Sequence, residues 1–378
     1  MRNTRDVLII GGGIIGLTTA YVLAKAGLRV EVVDQGELGK EASWAGAGII
    51  PPGNPAFASS PIDHLRSYST SQFPRFSADL ASETGINNGF FHCGGIECLS
   101  DNELDAVELW RQERIHVEEW SPAQLQQSEP CIVAPADRHT FCLPEFGQVR
   151  NPWHLAALIA ACEKRGVKLA PNSPAAHWIF NQSEVTGVQM ASGEIIQAAK
   201  YLVASGAWAE TWLEPLGVRP GVHPVRGQIV LFRPEKPLFS HIVMVGKRYL
   251  VPRPDGRVLV GSTEEPEAGF TKANTEAGVA ELIEFADALV PKLKDAAIEK
   301  TWSGLRPGSP DGMPFIGPVP QHPNVFAAVG HFRAGVQLSV GTAQILHCIL
   351  TNQPSPLPIE TFRVDRTPDL TARPAFRS

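Results

Sequence analysis

Three glycines near the N-terminus carry the clearest chemistry of the chain. Gly11-x-Gly13-x-x-Gly16 follows an apolar run, Val7 to Ile10, and opens a helical pattern with Ala20 and Leu23 on one face. Gly27, Val30 and then Asp34 follow, the last at the end of a second apolar run. In that context the spacing is a dinucleotide fingerprint. Gly11 permits a tight turn, Gly13 lets a pyrophosphate approach the backbone, and Gly16 lets helix and strand close together. The helix start, with Ile14 and Ile15, offers free N–H groups and a positive dipole end to phosphate. Asp34 is placed to accept hydrogen bonds from both ribose hydroxyls and repels a 2′-phosphate. An ADP-containing cofactor follows from the pattern. Only one complete fingerprint occurs, which disfavours a reductase with a second nucleotide site of its own. The Ala/Gly-rich stretch Ala42 to Ile49 suits a chain passing under a planar isoalloxazine ring, which points to FAD.

The elements that must position this site read as strand Asp6 to Ile10, helix Ile14 to Ala26 and strand Arg29 to Val33, a βαβ opening whose continuous apolar strands suit a parallel, doubly covered sheet. Glu41 to Pro55, rich in Ala, Gly and Pro, is expected to form no regular element. Amphipathic spacing predicts helices over Ile62 to Glu83, Asn102 to Ile115 and Pro152 to Lys164, the last with Asn151 as N-cap. A hairpin is expected around Ser192-Gly193, then a strand Lys200 to Ala204 running into Ser205-Gly206. Gly227 to Phe232, Arg248 to Pro252 and Arg257 to Ser262 alternate as half-exposed antiparallel strands turning at Pro254-Asp255-Gly256. Asn274 to Leu289 reads as helix, Val325 to Val329 as strand and Gly335 to Leu350 as helix. The fold class is α/β, α+β overall: a Rossmann-like cofactor domain (1–85, 145–220 and 300–378) interleaved with a smaller antiparallel-sheet substrate domain (86–144 and 221–299).

Composition bounds the partners. The chain has 378 residues with 34 glycines and 32 prolines, 43% apolar and 19% charged residues, and a net charge of −6. That is a globular chain with many turns and no basic field for nucleic acid. Arg2 and Arg5 before the first apolar run could pass for a leader, but Asp6 and the glycines that follow argue against one. Every long uncharged run is broken by Pro or Gly, so no integral membrane span is expected and the reading is cytoplasmic. The six cysteines, Cys93, Cys98, Cys131, Cys142, Cys162 and Cys348, form no CxxC pair, so neither a metal site nor a disulfide framework is expected.

With these features the chain resembles the D-amino-acid oxidase superfamily of FAD amine oxidases, most closely its thiamine-pathway glycine oxidase branch. The likeness runs almost end to end. It rests on Ile9 to Gly16, Ala45 to Gly48, Ala204-Ser205-Gly206-Ala207-Trp208, Pro224-Val225-Arg226-Gly227-Gln228, Tyr249 to Arg253, Gly261-Ser262-Thr263, Gly304-Leu305-Arg306-Pro307, Asp311-Gly312, Pro314, Ile316-Gly317 and Gly330-His331-Phe332-Arg333. The resemblance implies that Tyr249 and Arg306 hold a substrate carboxylate, with Arg333 close by and Ile49 shaping the pocket. It also implies cofactor contacts from Gln35, Ala42, Ser43, Ala47, Gly48, Ile49, Ala175, Ser205 and Gly206, and from His331, Phe332, Arg333, Ala334, Gly335, Val336 and Gln337. A helix from Gly335 would point its positive end at the ring and stabilise its reduced, anionic form. The Asp311 to Gly317 segment, where sarcosine-oxidase relatives attach flavin, contains no cysteine, so the FAD is expected to be noncovalent. His331 is assigned no acid–base work and Arg253 is expected in a structural ion pair.

On the residues alone Tyr249 reads more readily as a half-buried packing residue, and Arg306 equally as an ion-pair partner. A guanidinium nevertheless suits a carboxylate, since its planar fork fixes orientation as well as charge. The implied activity is hydride transfer from Cα of glycine, sarcosine or a small D-amino acid to flavin N5, giving an imine, then a 2-oxo acid and ammonia or amine, with hydrogen peroxide from oxygen. An L-amino acid would present its hydrogen to the wrong face. Glu264 is also expected on the substrate side, on a roof strand where several relatives carry a neutral or basic residue; an acid there would slow reaction with oxygen or attract a cationic amine, which keeps open a D-amino-acid dehydrogenase passing electrons to a quinone or other acceptor. An FAD-dependent tRNA-modifying domain is disfavoured by charge, and a noncatalytic flavin-binding subunit by the retained clamp. A homo-oligomer stays open.

Overall fold

The computed structural model describes residues 5–182 and 184–370. Arg2 and the ends of the expected segments 1–85 and 300–378 lie outside them. A six-stranded sheet runs in the order Phe315–Val319, His322–Val329, Ala198–Val203, Arg5–Ile10, Val30–Val33, Lys168–Ala170, parallel except for the edge hairpin formed by the first two. Val7 to Ile10 and Tyr201 to Val203 on its central strands are buried on both faces because both faces are covered. Val7 and Ile9 face a core with Leu17, Leu65, Phe73, Leu158 and Leu338, contributed by the helices Ile14–Lys25, Pro61–Thr84, Asn151–Lys164 and Gly335–Leu350. Leu8 and Ile10 face Trp178, Val188 and Trp212, which cover the other side with a small three-stranded sheet. The chain leaves Arg5–Ile10 to one side and returns on the other, so the switch point where such sheets bind ligands falls at Gly11.

The second large sheet has eight strands, in the order Ala297–Gly308, His223–Arg233, Val258–Gly261, Arg248–Pro252, Ile242–Val245, Gly95–Leu99, His139–Leu143, Glu118–Trp120. It is antiparallel except where Ile242–Val245 runs parallel to Gly95–Leu99. One face packs on the helix Glu276–Leu289 through Val230, Leu250, Val260 and Leu282. Residue 300, the expected start of the last cofactor segment, lies within the strand Ala297–Gly308.

Several local expectations give way to the structure. Glu41 to Pro55 does contain regular elements, a single helical turn Ala42–Ala45 and a two-residue strand Ile49–Ile50. Asn102 to Ile115 is a short 3₁₀ turn followed by a helix limited to Asp105–Gln112. Asn151 is the first residue of its helix, with Arg150 at the cap position; its amide instead donates to the Ser43 carbonyl at 2.7 Å and ties the helix to the cofactor loop. Glu264 lies in the loop after Val258–Gly261 and not on the strand. The strand Ala297–Gly308 gave no alternating signal, yet it is the sheet's edge, where Pro307 is tolerated because one side of the backbone needs no partner.

Candidate active site

A single cavity of about 930 Å³ runs from the Gly11 switch point to the eight-stranded sheet. At the nucleotide end Gly11 has φ +113°, and a Cβ there would lie 2.6 Å from the Ala204 carbonyl carbon. A Cβ on Gly16 would collide with the Gly11 carbonyl oxygen, so Gly16 sets helix against strand and does not itself line the cavity. A Cβ on Gly13 would meet only the Ser43 hydroxyl, at 3.2 Å, which leaves this backbone open toward the cavity. Ile14 N–H donates to Ser43 Oγ at 2.9 Å, so the loop from Asp34 to Ser43 is laced to the helix start.

Asp34 lines the cavity, and its two oxygens accept Gly12 N–H at 2.7 Å and Gly36 N–H at 2.8 Å. Each oxygen thus holds one flanking turn and keeps one further lone pair, so both expected ribose contacts stay open to it. Burial pushes its carboxyl above the usual range, against those two backbone hydrogen bonds. Ser205 Oγ is buried at the cavity wall and has no hydrogen-bond partner among the described residues. An open glycine backbone, an acid at the second strand end and an orphaned hydroxyl fit the ADP half of a dinucleotide. Gln35, Ala42, Ser43, Ala47, Gly48, Ile49, Ala175 and Gly206 line the same cavity.

The other wall is the face of the large sheet. Its register puts Trp302, Ile229, Gly261, Tyr249, Met244 and Glu97 in one row across the strands, with Gly227 opposite Gly304 and Arg306 opposite Val225 in the next rows. The glycines make room. A Cβ on Gly227 would collide with the Arg306 guanidinium, and one on Gly261 would come within 2.7 Å of the Tyr249 ring. Arg306 Nη2 donates to Ser262 Oγ at 2.5 Å and Nη1 to the Thr263 carbonyl at 3.2 Å. Burial lowers its pKa, with the neighbouring Tyr249 acting in the opposite direction. Below this face lies the Ala42–Ala45 turn, where Trp302 Nε1 donates to the Ala45 carbonyl at 3.1 Å.

The third wall is the turn from Gly330 into the helix Gly335–Leu350, and His331 through Gln337 all line the cavity. His331 is buried, bonded to Thr342 Oγ1 at 3.1 Å, and pushed down to about 3 by burial, which leaves a neutral structural imidazole. Gln337 donates to Thr70 Oγ1 at 2.9 Å. Arg333 pairs with Glu264, whose other oxygen accepts Lys247 Nζ at 2.8 Å. Glu264 bridges these two cations and is not itself among the lining residues. Arg253 has no ion-pair partner among the described residues: its guanidinium donates to Ala47 O at 2.7 Å, Gln148 Oε1 at 2.9 Å and Val149 O at 3.3 Å, and burial pulls it down to about 10. It pins the cofactor loop to the sheet.

Sequence reasoning missed Ser262, Lys247, Met244 and Glu97 on the cavity wall. Met244 was within reach, because it sits opposite Tyr249 in the Ile242–Val245/Arg248–Pro252 hairpin. Glu97 depends on a parallel pairing between segments nearly 150 residues apart, which no local pattern announces.

Residues 6–348 match the family described as FAD dependent oxidoreductase (DAO). The chain is 35% identical over 350 residues to a glycine oxidase of Pseudomonas putida, covering 92% of this chain and 95% of that one. It is 33% identical over 372 residues to the bifunctional protein ThiO/ThiG of Nostoc sp., covering 96% of this chain and 55% of that one. The crystal structure of glycine oxidase from Geobacillus kaustophilus superposes with a TM-score of 0.90 at 30% identity, covering 96% of this chain and 99% of that one.

Proposed function

Since this chain belongs to the DAO family of FAD-dependent oxidoreductases, an amine-oxidising family, we propose that it deaminates glycine, sarcosine or a small D-amino acid and passes the electrons to oxygen. The observation that carries the reading is one cavity with a dinucleotide cradle at one end and the Arg306–Tyr249 pair at the other. In this reading 1–85, 145–220 and 300–378 carry the cofactor and 86–144 and 221–299 the substrate, except that the strand Ala297–Gly308, with Arg306, belongs to the substrate sheet. Gly11, Gly13, Ile14, Ile15, Asp34 and Ser205 hold the ADP half of a noncovalent FAD, and the segments Ala42 to Ile49 and His331 to Gln337 flank its ring. When bound, FAD supplies the hydride acceptor for Cα and the route of electrons to oxygen, giving hydrogen peroxide.

The protein's own contribution is orientation and dryness. Arg306 is anchored by Ser262 and the Thr263 carbonyl and keeps other N–H groups for the carboxylate. Tyr249, beside it on the same sheet face, supplies a second donor. No protein acid or base is needed once the amine is neutral, and neutral His331 agrees with that. The dehydrogenase alternative draws on Glu264 as an acid at the ring; its engagement by Arg333 and Lys247 supports the oxidase reading instead. The test is an anaerobic screen of glycine, sarcosine, D-alanine, D-proline and L-alanine for flavin bleaching, followed by peroxide against dye reduction in air. Bleaching by none of the achiral or D-compounds, or dye reduction without oxygen uptake, would sink the reading.

A further inference from the structure

The rim of the cavity carries an arrangement that clamping one carboxylate does not require. Lys247 and Arg333 both line the cavity, and between them Glu264 gives one oxygen to each. The three side chains are part-exposed, at 46%, 18% and 23% for Lys247, Arg333 and Glu264, so this cluster sits where substrate meets solvent. Arg333 and Glu264 both lie close enough to Arg306 to act on its charge, and in opposite directions. The two cations hold the Glu264 carboxyl below its ordinary range despite burial, so it is an anion at neutral pH.

We propose that Glu264 is a specificity-determining residue that occupies Arg333 and Lys247 and so restricts the site to amino acids carrying a single anionic group. Arg306 serves the α-carboxylate. A second carboxylate or phosphonate on the substrate reaches toward Arg333 and Lys247, where it meets the charge of Glu264 and must displace a carboxylate already holding two partners. A neutral side chain or an N-methyl group meets no such opposition. Removing the charge of Glu264 leaves two cations at the rim without the carboxylate they share, which is a ready subsite for a second anion.

This inference rests on the amino-carboxylate reading above, and its test uses inert anions so that turnover is not involved. Acetate and malonate are titrated into the FAD-loaded protein and binding is read from the change in flavin absorption. In Glu264→Gln the malonate-to-acetate affinity ratio should rise by about tenfold or more, the scale of one unit charge at a partly screened site. Lys247→Met, which leaves Glu264 to Arg333 alone, should move the ratio the other way. It also keeps the inference falsifiable where the Gln variant does not fold. Acetate binding with a ratio unchanged in either variant overturns this inference alone. Failure of acetate to bind the wild-type protein overturns the carboxylate clamp and this inference with it.

Discussion

Gly227→Ala is a change that adds one methyl group and should disable the substrate clamp without replacing any proposed contact residue. Gly227 lies mid-strand, opposite Gly304, with a backbone that alanine can adopt. The new Cβ would overlap the Arg306 guanidinium, the far end of a flexible side chain. The strand therefore survives, and alanine even removes some of glycine's conformational freedom, worth roughly 0.5–1 kcal/mol in favour of folding. The guanidinium must retreat by more than about 1 Å to reach ordinary contact distance, a misplacement that costs on the order of 10²-fold or more in rate where orientation matters. That corresponds to about 2.7 kcal/mol in kcat/KM. The assay is steady-state oxidation of glycine, with FAD content and Tm measured on the same preparations. A variant with normal FAD content, normal Tm and kcat/KM within about threefold of wild type would refute the placement of Arg306 at the carboxylate.

Asp34→Asn should raise the FAD dissociation constant by about 10- to 100-fold, because an amide cannot accept from both Gly12 N–H and Gly36 N–H and leaves one turn unheld; fluorescence quenching of FAD added to apoprotein measures it. Arg366→Met should cost about 3–5 kcal/mol, seen in chemical denaturation, since it strands the buried Asp311 carboxylate, which also accepts Met313 N–H at 3.1 Å. Arg366 holds the Asp311 carboxyl below its usual range despite burial, so this contribution is present above the unfolded value of about 4 and fades as pH falls toward the folded one. The wild-type protein should accordingly lose more stability than Arg366→Met between neutral and strongly acid pH; equal slopes for the two would refute the pairing.

The nucleotide half of the site was legible because it is local. Gly11, Gly13, Gly16 and Asp34 sit in one βαβ unit, where spacing fixes geometry, and the structure adds that Asp34 also holds both flanking turns. The sheet half was legible by resemblance and not by pattern. Arg306 lies on an edge strand whose Ser, Gly and Pro erase alternation, and its room comes from Gly227, some eighty residues earlier. Arg253 was misjudged because ion pairing is the common fate of a buried arginine, whereas here three neutral oxygens from the cofactor loop and its neighbours satisfy it. Asn151 was misjudged by one position, which freed its side chain for the Ser43 carbonyl. In each case the missing information was a long-range contact.

The proposed function requires that Arg306 present an amino acid to FAD bound in this cavity. Its most direct test is anaerobic mixing of FAD-loaded wild-type protein and Arg306→Ala with glycine, watching the flavin absorption. The expected result is bleaching of the wild type and, in the variant, retention of FAD with a bleaching rate at least about 10²-fold lower at the same glycine concentration, from the loss of charge-assisted hydrogen bonds of roughly 1.5–3 kcal/mol each. A variant that keeps its FAD and bleaches as fast as the wild type would contradict the account.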